Sequence, residues 1–388
     1  MRTNTTTPEI AKITKKDPSV TIAIPTYNEV ADISRVVQGF LSTQYPNLIE
    51  VFIADGGSND GTQEIIQQIS LEDPRVKLLH NPLKLQACGL NIILSQCQGD
   101  IFLRADAHSE YSPDYVERCV EALLKSQSLN AGGAQRFVAQ NAFQAGIALA
   151  VRSRLGSGGA KYRDPTYSGY AETVYLGCFW RKVLLELTGY DSKSTNEDSE
   201  LNLRLFDKLS KAAFDISQVT NQDAELNLKL LDSTDRAIYI SSKVRVWYYP
   251  RKNWKALWVQ YFKYGRGRYL TSTKHTDRKQ LRGTLPFIAL SILIGLVSVS
   301  FIFPFLDLPI VVLITLGFML IVVESSRITL KFRKTFASEI WRGNEGNIPS
   351  LLSRLLYCGI VLTTMPIAHS CGYSYQIFRR KALGIKDW

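Results

Sequence analysis

Along the first 110 residues, short unbroken apolar runs alternate with stretches whose apolar positions recur at helical spacing. Val20 to Ile24 reads as a strand, and Asp32 to Leu41, after the polar Tyr27-Asn28-Glu29, as an amphipathic helix. Val51 to Ala54 reads as a second strand. It is followed by the turn-rich loop Asp55-Gly56-Gly57-Ser58-Asn59-Asp60-Gly61-Thr62 and a helix from Gln63 to Ile69. Val76 to Leu79 is a third strand, Leu90 to Gln96 a helix, and Ile101 to Arg104 a fourth strand ending at Ala105-Asp106-Ala107-His108. This repeated order predicts an α/β domain with a mainly parallel sheet flanked by helices, whose ligand-binding loops lie at the carboxyl ends of the strands. Asn28, Glu29, Asp55 and Asp106 all fall on those ends.

The pattern changes after residue 283. Leu285 to Phe303 is 19 residues without a charge, close to the span of about 20 apolar residues that crosses a bilayer as a helix. Leu308 to Val323 adds 16 more, short enough to need Asp307 or Glu324 at an interface. A third apolar stretch, Leu355 to Ile367, is 13 residues long and precedes Arg379-Arg380-Lys381, so a re-entrant or interfacial segment is favoured there over a crossing one. The sequence thus divides into a polar tail (1–19), an α/β domain (20–242), a basic collar (243–283) and a membrane region (284–388). In the last, spans are expected at 285–306 and 308–323, with 355–378 re-entrant or spanning.

Charge sharpens this division. Residues 1–242 carry 24 basic against 29 acidic residues, whereas 243–283 carry 12 against one. Basic residues massed beside an apolar run suit membrane lipids rather than nucleic acid. They flank both predicted spans while the Phe303-Pro304-Phe305 turn has none, so the flanks and the first domain are expected on the cytoplasmic side of an inner membrane. The first 19 residues show no secretory signal. The six cysteines form no C-x-x-C pair, which is the pattern of reduced thiols rather than a metal or redox cluster. A composition of 45% hydrophobic and 21% charged residues excludes a disordered chain.

Two common phosphate-binding devices are missing. Pro25-Thr26-Tyr27-Asn28-Glu29 follows the first strand where a dinucleotide fold has G-x-G-x-x-G, and no G-x-x-x-x-G-K-[ST] occurs. Acidic loops on one sheet edge remain. Carboxylates repel a bare diphosphate, so a hard divalent cation is the natural bridge between the two.

Ile24-Pro25-Thr26-Tyr27-Asn28-Glu29, the Asp55–Thr62 loop, Asp106-Ala107-His108, Asn196-Glu197-Asp198 and Gln260 to Arg268 stand in the order of the motifs of inverting family 2 glycosyltransferases of GT-A fold. Over roughly residues 18–270 the chain resembles membrane-anchored members of bacterial exopolysaccharide assembly, the succinoglycan glucosyltransferase type. The resemblance implies transfer of a sugar, glucose first among candidates, from a nucleotide-diphosphate sugar (UDP-linked favoured) to a lipid-linked saccharide. It implies donor contacts at Pro25, Thr26, Tyr27, Glu29, Asp55 and Asp106. Asp106-Ala107-His108 takes the place of the family's D-x-D metal motif, so Asp106 and His108 are the implied ligands of manganese or magnesium, the histidine suiting manganese better. Asp198, next to Glu197, takes the place of the general base. Gln260, Lys263 and Tyr264 stand where processive synthases have Q-x-x-R-W and, with Arg266 and Arg268, are implied in acceptor or diphosphate binding. Asp60 is expected to cap the following helix instead of touching ligand. Two other readings are open: transfer to polyprenyl phosphate or processive synthesis, and an inactive saccharide-binding membrane scaffold.

Overall fold

The computed structural model describes residues 17–157, 159–190, 201–202, 204–205, 208, 236–274 and 281–385. They form two compact units. The first comprises residues 17–136, 164–190 and the described part of 197–247, and the second residues 137–163 and 248–385. The segment 137–163 therefore joins the C-terminal unit, although it precedes the expected boundary at 242 by about a hundred residues.

The first unit is an α/β sandwich. Strands β1 (Val20–Thr26), β2 (Leu48–Asp55), β3 (Val76–His80) and β4 (Ile101–Arg104) pair in parallel in the order β3-β2-β1-β4. Helices α1 (Ile33–Leu41), α2 (Thr62–Glu72) and α3 (Gln86–Gln96) connect them. These are the elements read from the sequence, each within a few residues. β1 is apolar on both faces and buried almost throughout, as a central parallel strand must be. Helix α1 buries Ile33, Val36, Val37 and Phe40, the i, i+3, i+4, i+7 stripe of an amphipathic helix. Each such side chain contributes about 1.5–3 kcal/mol of transfer free energy.

Past β4 the sheet turns antiparallel. β5 (Ser109–Tyr111), β6 (Asn130–Phe137), β7 (Gly169–Tyr170), β8 (Tyr175–Trp180) and β9 (Ile238–Tyr248) complete nine strands among the described residues, in the order β3-β2-β1-β4-β8-β6-β9-β5 with β7 on β9. The parallel half carries the loops of interest, and the mixed half frames it. Helix α4 (Tyr115–Ser126) turns Tyr115 inward, where Phe40, Tyr111 and Tyr115 form a ring cluster with centroids 4.7 to 6.3 Å apart. The expected basic collar begins inside β9, because its first residues alternate as that strand does.

The second unit is helical: α5 (Ala142–Ala150), the single turn α6 (Arg154–Ser157), α8 (Trp254–Lys274), α9 (Leu281–Ser300), α10 (Asp307–Lys331) and α11 (Leu351–Ala382), α7 (Arg181–Glu186) belonging to the first unit. Residues Pro304–Lys331 and Leu351–Ala382 are long and apolar enough, by length and composition, to cross a membrane, and Thr284–Ser300 is a shorter apolar helix. The expected 16-residue span is in fact the start of a 25-residue helix, α10. It continues past Val323 because Glu324 is neutralised by Arg327, whose Nε and Nη2 donate to it at 2.6 and 2.7 Å.

The stretch expected to be re-entrant is one continuous helix of 32 residues. Counting apolar residues understated it, because Thr363, Thr364, Ser370 and Ser374 return their hydroxyl protons to carbonyls one turn back, at 2.7 to 3.0 Å. Glycine lets α11 meet its neighbours backbone to backbone. A Cβ at Gly265 of α8 would fall on the His369 carbonyl oxygen, one at Gly372 on that of Phe262, and one at Gly146 of α5 would lie 2.5 Å from the Tyr357 Cβ.

Gly265→Ala should therefore cost about 1–3 kcal/mol by overpacking. Thermal unfolding of the full chain in detergent is expected to shift down by several degrees, while Gly295→Ala, which meets nothing within 4 Å, leaves the midpoint in place.

Candidate active site

The candidate site of the first unit grows from one register. Thr26 is paired with Asp55, so β1 and β2 end level, and the Gly56 amide donates to the Thr26 carbonyl at 2.8 Å. Both loops then leave the sheet side by side. Asp55 closes its own loop: its buried carboxylate accepts from the Gly57 and Ser58 amides at 2.9 and 2.8 Å and from the Ser58 hydroxyl. Hydrogen bonds to a charged group are worth about 1.5–3 kcal/mol, so this turn is stiff.

The two loops are also tied to each other. The Asn28 amide donates to Ser58 Oγ at 2.7 Å, the Asn59 amide to Asn28 Oδ1 at 3.0 Å, the Glu29 amide to Thr62 Oγ1 at 2.9 Å and the Val30 amide to Asp60 Oδ2 at 3.1 Å. Asp60 also accepts from the Thr62 amide and hydroxyl at 3.1 and 2.6 Å, while the N-cap position of α2 expected for it is held by Gly61. Asn28 sits at φ 55, a left-handed conformation that asparagine tolerates better than most residues.

The sequence-derived residues divide by what they touch. Pro25 is half-buried, facing α3. Tyr27 stands 51% exposed, with Lys84 Nζ 5.5 Å from its ring centroid. The Thr26 hydroxyl is buried with no hydrogen-bond partner among the described residues. Glu29 does not stand alone, since its Oε1 lies 3.1 Å from His108 Nδ1.

Asp106 is buried. Its Oδ1 accepts from Gln86 Nε2 and its Oδ2 from the Tyr175 hydroxyl, both at 3.2 Å, and Arg104 Nη2 is 3.9 Å from Oδ1. Its backbone is pinned as well, the amide donating to the Tyr111 hydroxyl at 2.7 Å and the carbonyl accepting from it at 3.0 Å. Burial pushes that Tyr111 phenol well above its ordinary value, so it stays protonated. Asp106 to His108 is a turn between β4 and β5 and not the strand end expected, so the alternation of a strand does not orient the two side chains. Each is held by its own partners instead.

Lys84, Gln86, Arg104 and Tyr175 were not picked out from the sequence. Lys84 lies in the loop after β3, a strand end like the others, and Gln86 opens the helix that follows it; that position was the signal available. Asn196, Glu197 and Asp198 lie outside the described residues.

The remaining candidates belong to the second unit, on helix α8. Gln260 and Tyr264, one turn apart, are joined by a 2.9 Å bond from the amide to the phenol, and Gln260 also reaches the Tyr248 hydroxyl at 3.4 Å. Arg268, a further turn on, is half-buried, while Lys263 is exposed. Arg266 donates to Gln376 Oε1 at 2.9 Å and lies 5.4 Å from the Tyr375 ring centroid, packed on α11. Gly265 and Gly267 are helical, so this segment is not a phosphate-cradling loop, and Gly265 serves close helix packing.

Comparison with known proteins places the chain. Residues 21–179 match the glycosyl transferase family 2 model. The chain is 34% identical over 277 residues to the succinoglycan biosynthesis protein ExoA of Rhizobium meliloti (strain 1021), covering 71% of this chain and 76% of that protein. It is 26% identical over 196 residues, 48% of its length and 61% of the relative's, to the dolichyl N-acetyl-alpha-D-glucosaminyl phosphate 3-beta-D-2,3-diacetamido-2,3-dideoxy-beta-D-glucuronosyltransferase of Methanococcus voltae. Among solved structures, the mannosyltransferase PcManGT from Pyrobaculum calidifontis, in complex with GDP-Man and Mn2+, shares the fold at a TM-score of 0.51 and 15% identity. That match covers 94% of this chain and 88% of that one. The protein belongs to glycosyl transferase family 2, and its first unit has the GT-A fold.

The Asn28 position offers a direct test of the loop pairing. Asn28→Gly keeps the backbone conformation and loses the bond to Asn59, whereas Asn28→Ala loses both. The alanine variant should unfold at lower temperature than the glycine variant, the difference reporting about 1 kcal/mol of left-handed strain.

Proposed function

We propose that the protein is an inverting hexosyltransferase moving glucose from a UDP-linked donor to a lipid-linked saccharide at the cytoplasmic face of an inner membrane, in exopolysaccharide assembly. The observation that carries the donor side is the cluster at the carboxyl edge of the parallel strands. An exposed Tyr27 ring beside Lys84 offers a base a stacking face and a diphosphate a cation, and the unpartnered Thr26 hydroxyl is buried at the end of the same strand. The ExoA relative supports the exopolysaccharide assignment and the Methanococcus relative the lipid-linked acceptor.

Asp106 and His108 fit a divalent cation. One is a carboxylate that accepts from neutral hydrogen-bond donors with a guanidinium farther off, the other an imidazole whose Nδ1 lies 3.1 Å from the Glu29 carboxylate, the outer-shell contact that orients a histidine ligand. Manganese or magnesium, if held there, would offset the charge that builds on the departing diphosphate. Among the described residues no three of His, Cys, Asp and Glu converge, so Asp106 and His108 are the pair that would hold the ion. Asp198 takes the proton from the acceptor hydroxyl as that oxygen attacks the anomeric carbon. The bond to the diphosphate breaks on the opposite side, and the nucleoside diphosphate leaves. A base of this kind contributes typically about 10²–10⁴-fold.

Donor binding and turnover, measured separately, test these roles. Asp198→Asn should bind nucleotide sugar nearly as the parent does and turn over about 10²-fold more slowly. Asp106→Ala should lose turnover and metal-dependent nucleotide binding together, and a chelator should reproduce that loss. Full activity in excess chelator rejects the metal role, and poor donor binding with normal saturated turnover rejects Asp198 as base.

The acceptor side rests on the membrane. Helix α10 exposes Leu308, Val311, Leu316, Phe318 and Met319, a surface suited to lipid and not to water. With basic residues on both flanks and none at the Pro304 turn, α9 and α10 form a hairpin that keeps the catalytic unit inside. In intact cells, a probe that cannot cross the membrane should label a single cysteine placed at Asp307 and spare one at Arg333. The reverse pattern rejects the orientation.

A further inference from the structure

Within the second unit, Arg163 closes the 3-10 turn Lys161–Arg163 and lays its guanidinium between two rings, 4.6 Å from the Phe137 centroid and 4.9 Å from that of Tyr162. Phe137 in turn packs edge-on against Tyr248 at 5.0 Å. The Tyr248 hydroxyl accepts from Gln260, whose amide also holds Tyr264. Arg163 thus shares one aromatic cluster with the Gln260–Tyr264 pair of α8. Its guanidinium also holds the Tyr162 phenol below its ordinary value.

Two features of this cluster call for a ligand. The Nε and Nη1 atoms of Arg163 are buried and have no hydrogen-bond partner among the described residues. Leaving those two donor atoms unpaired is costly even with Tyr162 engaging the guanidinium. Tyr264 meanwhile is 42% exposed, so its ring can be met from solvent. A cation with spare donors, aromatic faces and an amide are together the groups that recognise an oxyanion joined to a sugar: the guanidinium takes the charge and the rings take the apolar face of the pyranose. Lys263, which stands at the cationic position of the Q-x-x-K-Y segment, is solvent-exposed and outside this cluster.

We propose that Arg163, with Tyr162, Gln260 and Tyr264, forms a subsite for the phosphate or diphosphate of a glycosylated acceptor. This rests on the acceptor class proposed above. A lipid headgroup and a free phosphate carry the same oxyanion, so the probes must separate them.

Geranylgeranyl diphosphate, inorganic pyrophosphate and UDP are titrated against the full chain in nanodiscs by calorimetry. Arg163→Met and Tyr264→Ala should each weaken geranylgeranyl diphosphate at least tenfold while leaving UDP affinity unchanged. A parallel loss for pyrophosphate marks the oxyanion as the recognised group; loss confined to the prenyl probe marks a lipid headgroup. Tyr264 is exposed, so its variant reports even should Arg163→Met fail to fold. Unchanged binding of both diphosphates by Tyr264→Ala, or by a folded Arg163→Met, overturns the subsite and leaves Arg163 a core cation. Sugar transfer to lipid extract is assayed alongside. A chain that makes no lipid-linked product yet loses diphosphate binding in the variants keeps the subsite and refutes the acceptor class; the converse refutes the subsite alone.

Discussion

The first unit is organised by the pairing of Thr26 with Asp55. Because β1 and β2 end at the same level, their loops emerge side by side and can be laced through Ser58, Asn59, Asp60 and Thr62. A shift of one residue would turn each side chain of a strand to the opposite face and part the loops. Ile22 and Ile24 on one strand and Val51 and Ile53 on the other are fully enclosed, and the Gly56 amide bonded to the Thr26 carbonyl fixes the pairing where the strands end. The hydrophobic core thus decides where polar chemistry can stand.

Asp55 shows how a loop residue can serve a site through geometry. Its carboxylate is taken up by Gly57 and Ser58, and Ser58 hands the connection on to Asn28. Tyr27, the neighbour of Asn28, is thereby displayed on a turn that cannot fold back onto the protein. A carboxylate read from the sequence as a nucleoside contact is first the organiser of the loop that would make such a contact.

The four parallel strands were legible because each is a short apolar run, buried on both faces and bounded by turn residues. The later strands were not, since Gly132 and Gly133 dilute β6 and β9 alternates polar with apolar along 11 residues. In the site, acidic and aromatic residues at strand ends announced themselves, whereas Gln86 and Tyr175 act as neutral partners of Asp106 and have no chemistry of their own to signal it. Arg266 and Arg268 stand on a helix, where Gly265 serves packing and Arg266 is bonded to Gln376, an arrangement the glycine-flanked pattern did not announce. Arg163 carried no motif at all, because its surroundings come from segments more than a hundred residues apart. Of the apolar helices, the sequence pattern marked α9 and α10 as spans, whereas the two long and apolar enough to cross a membrane among the described residues are 304–331 and α11; the latter was understated since hydroxyls bonded to their own helix count as polar in a sequence and as apolar in a structure.

The Tyr111 hydroxyl both accepts from the Asp106 amide and donates to its carbonyl, and its ring is clasped by Phe40 and Tyr115. The chain at position 106 is therefore anchored through its peptide groups, independently of whatever side chain it bears. Such a position is interchangeable in the engineering sense: a cysteine, an asparagine or an unnatural ligand installed there inherits the same anchored backbone, and chemistry can be varied at a fixed point in the scaffold.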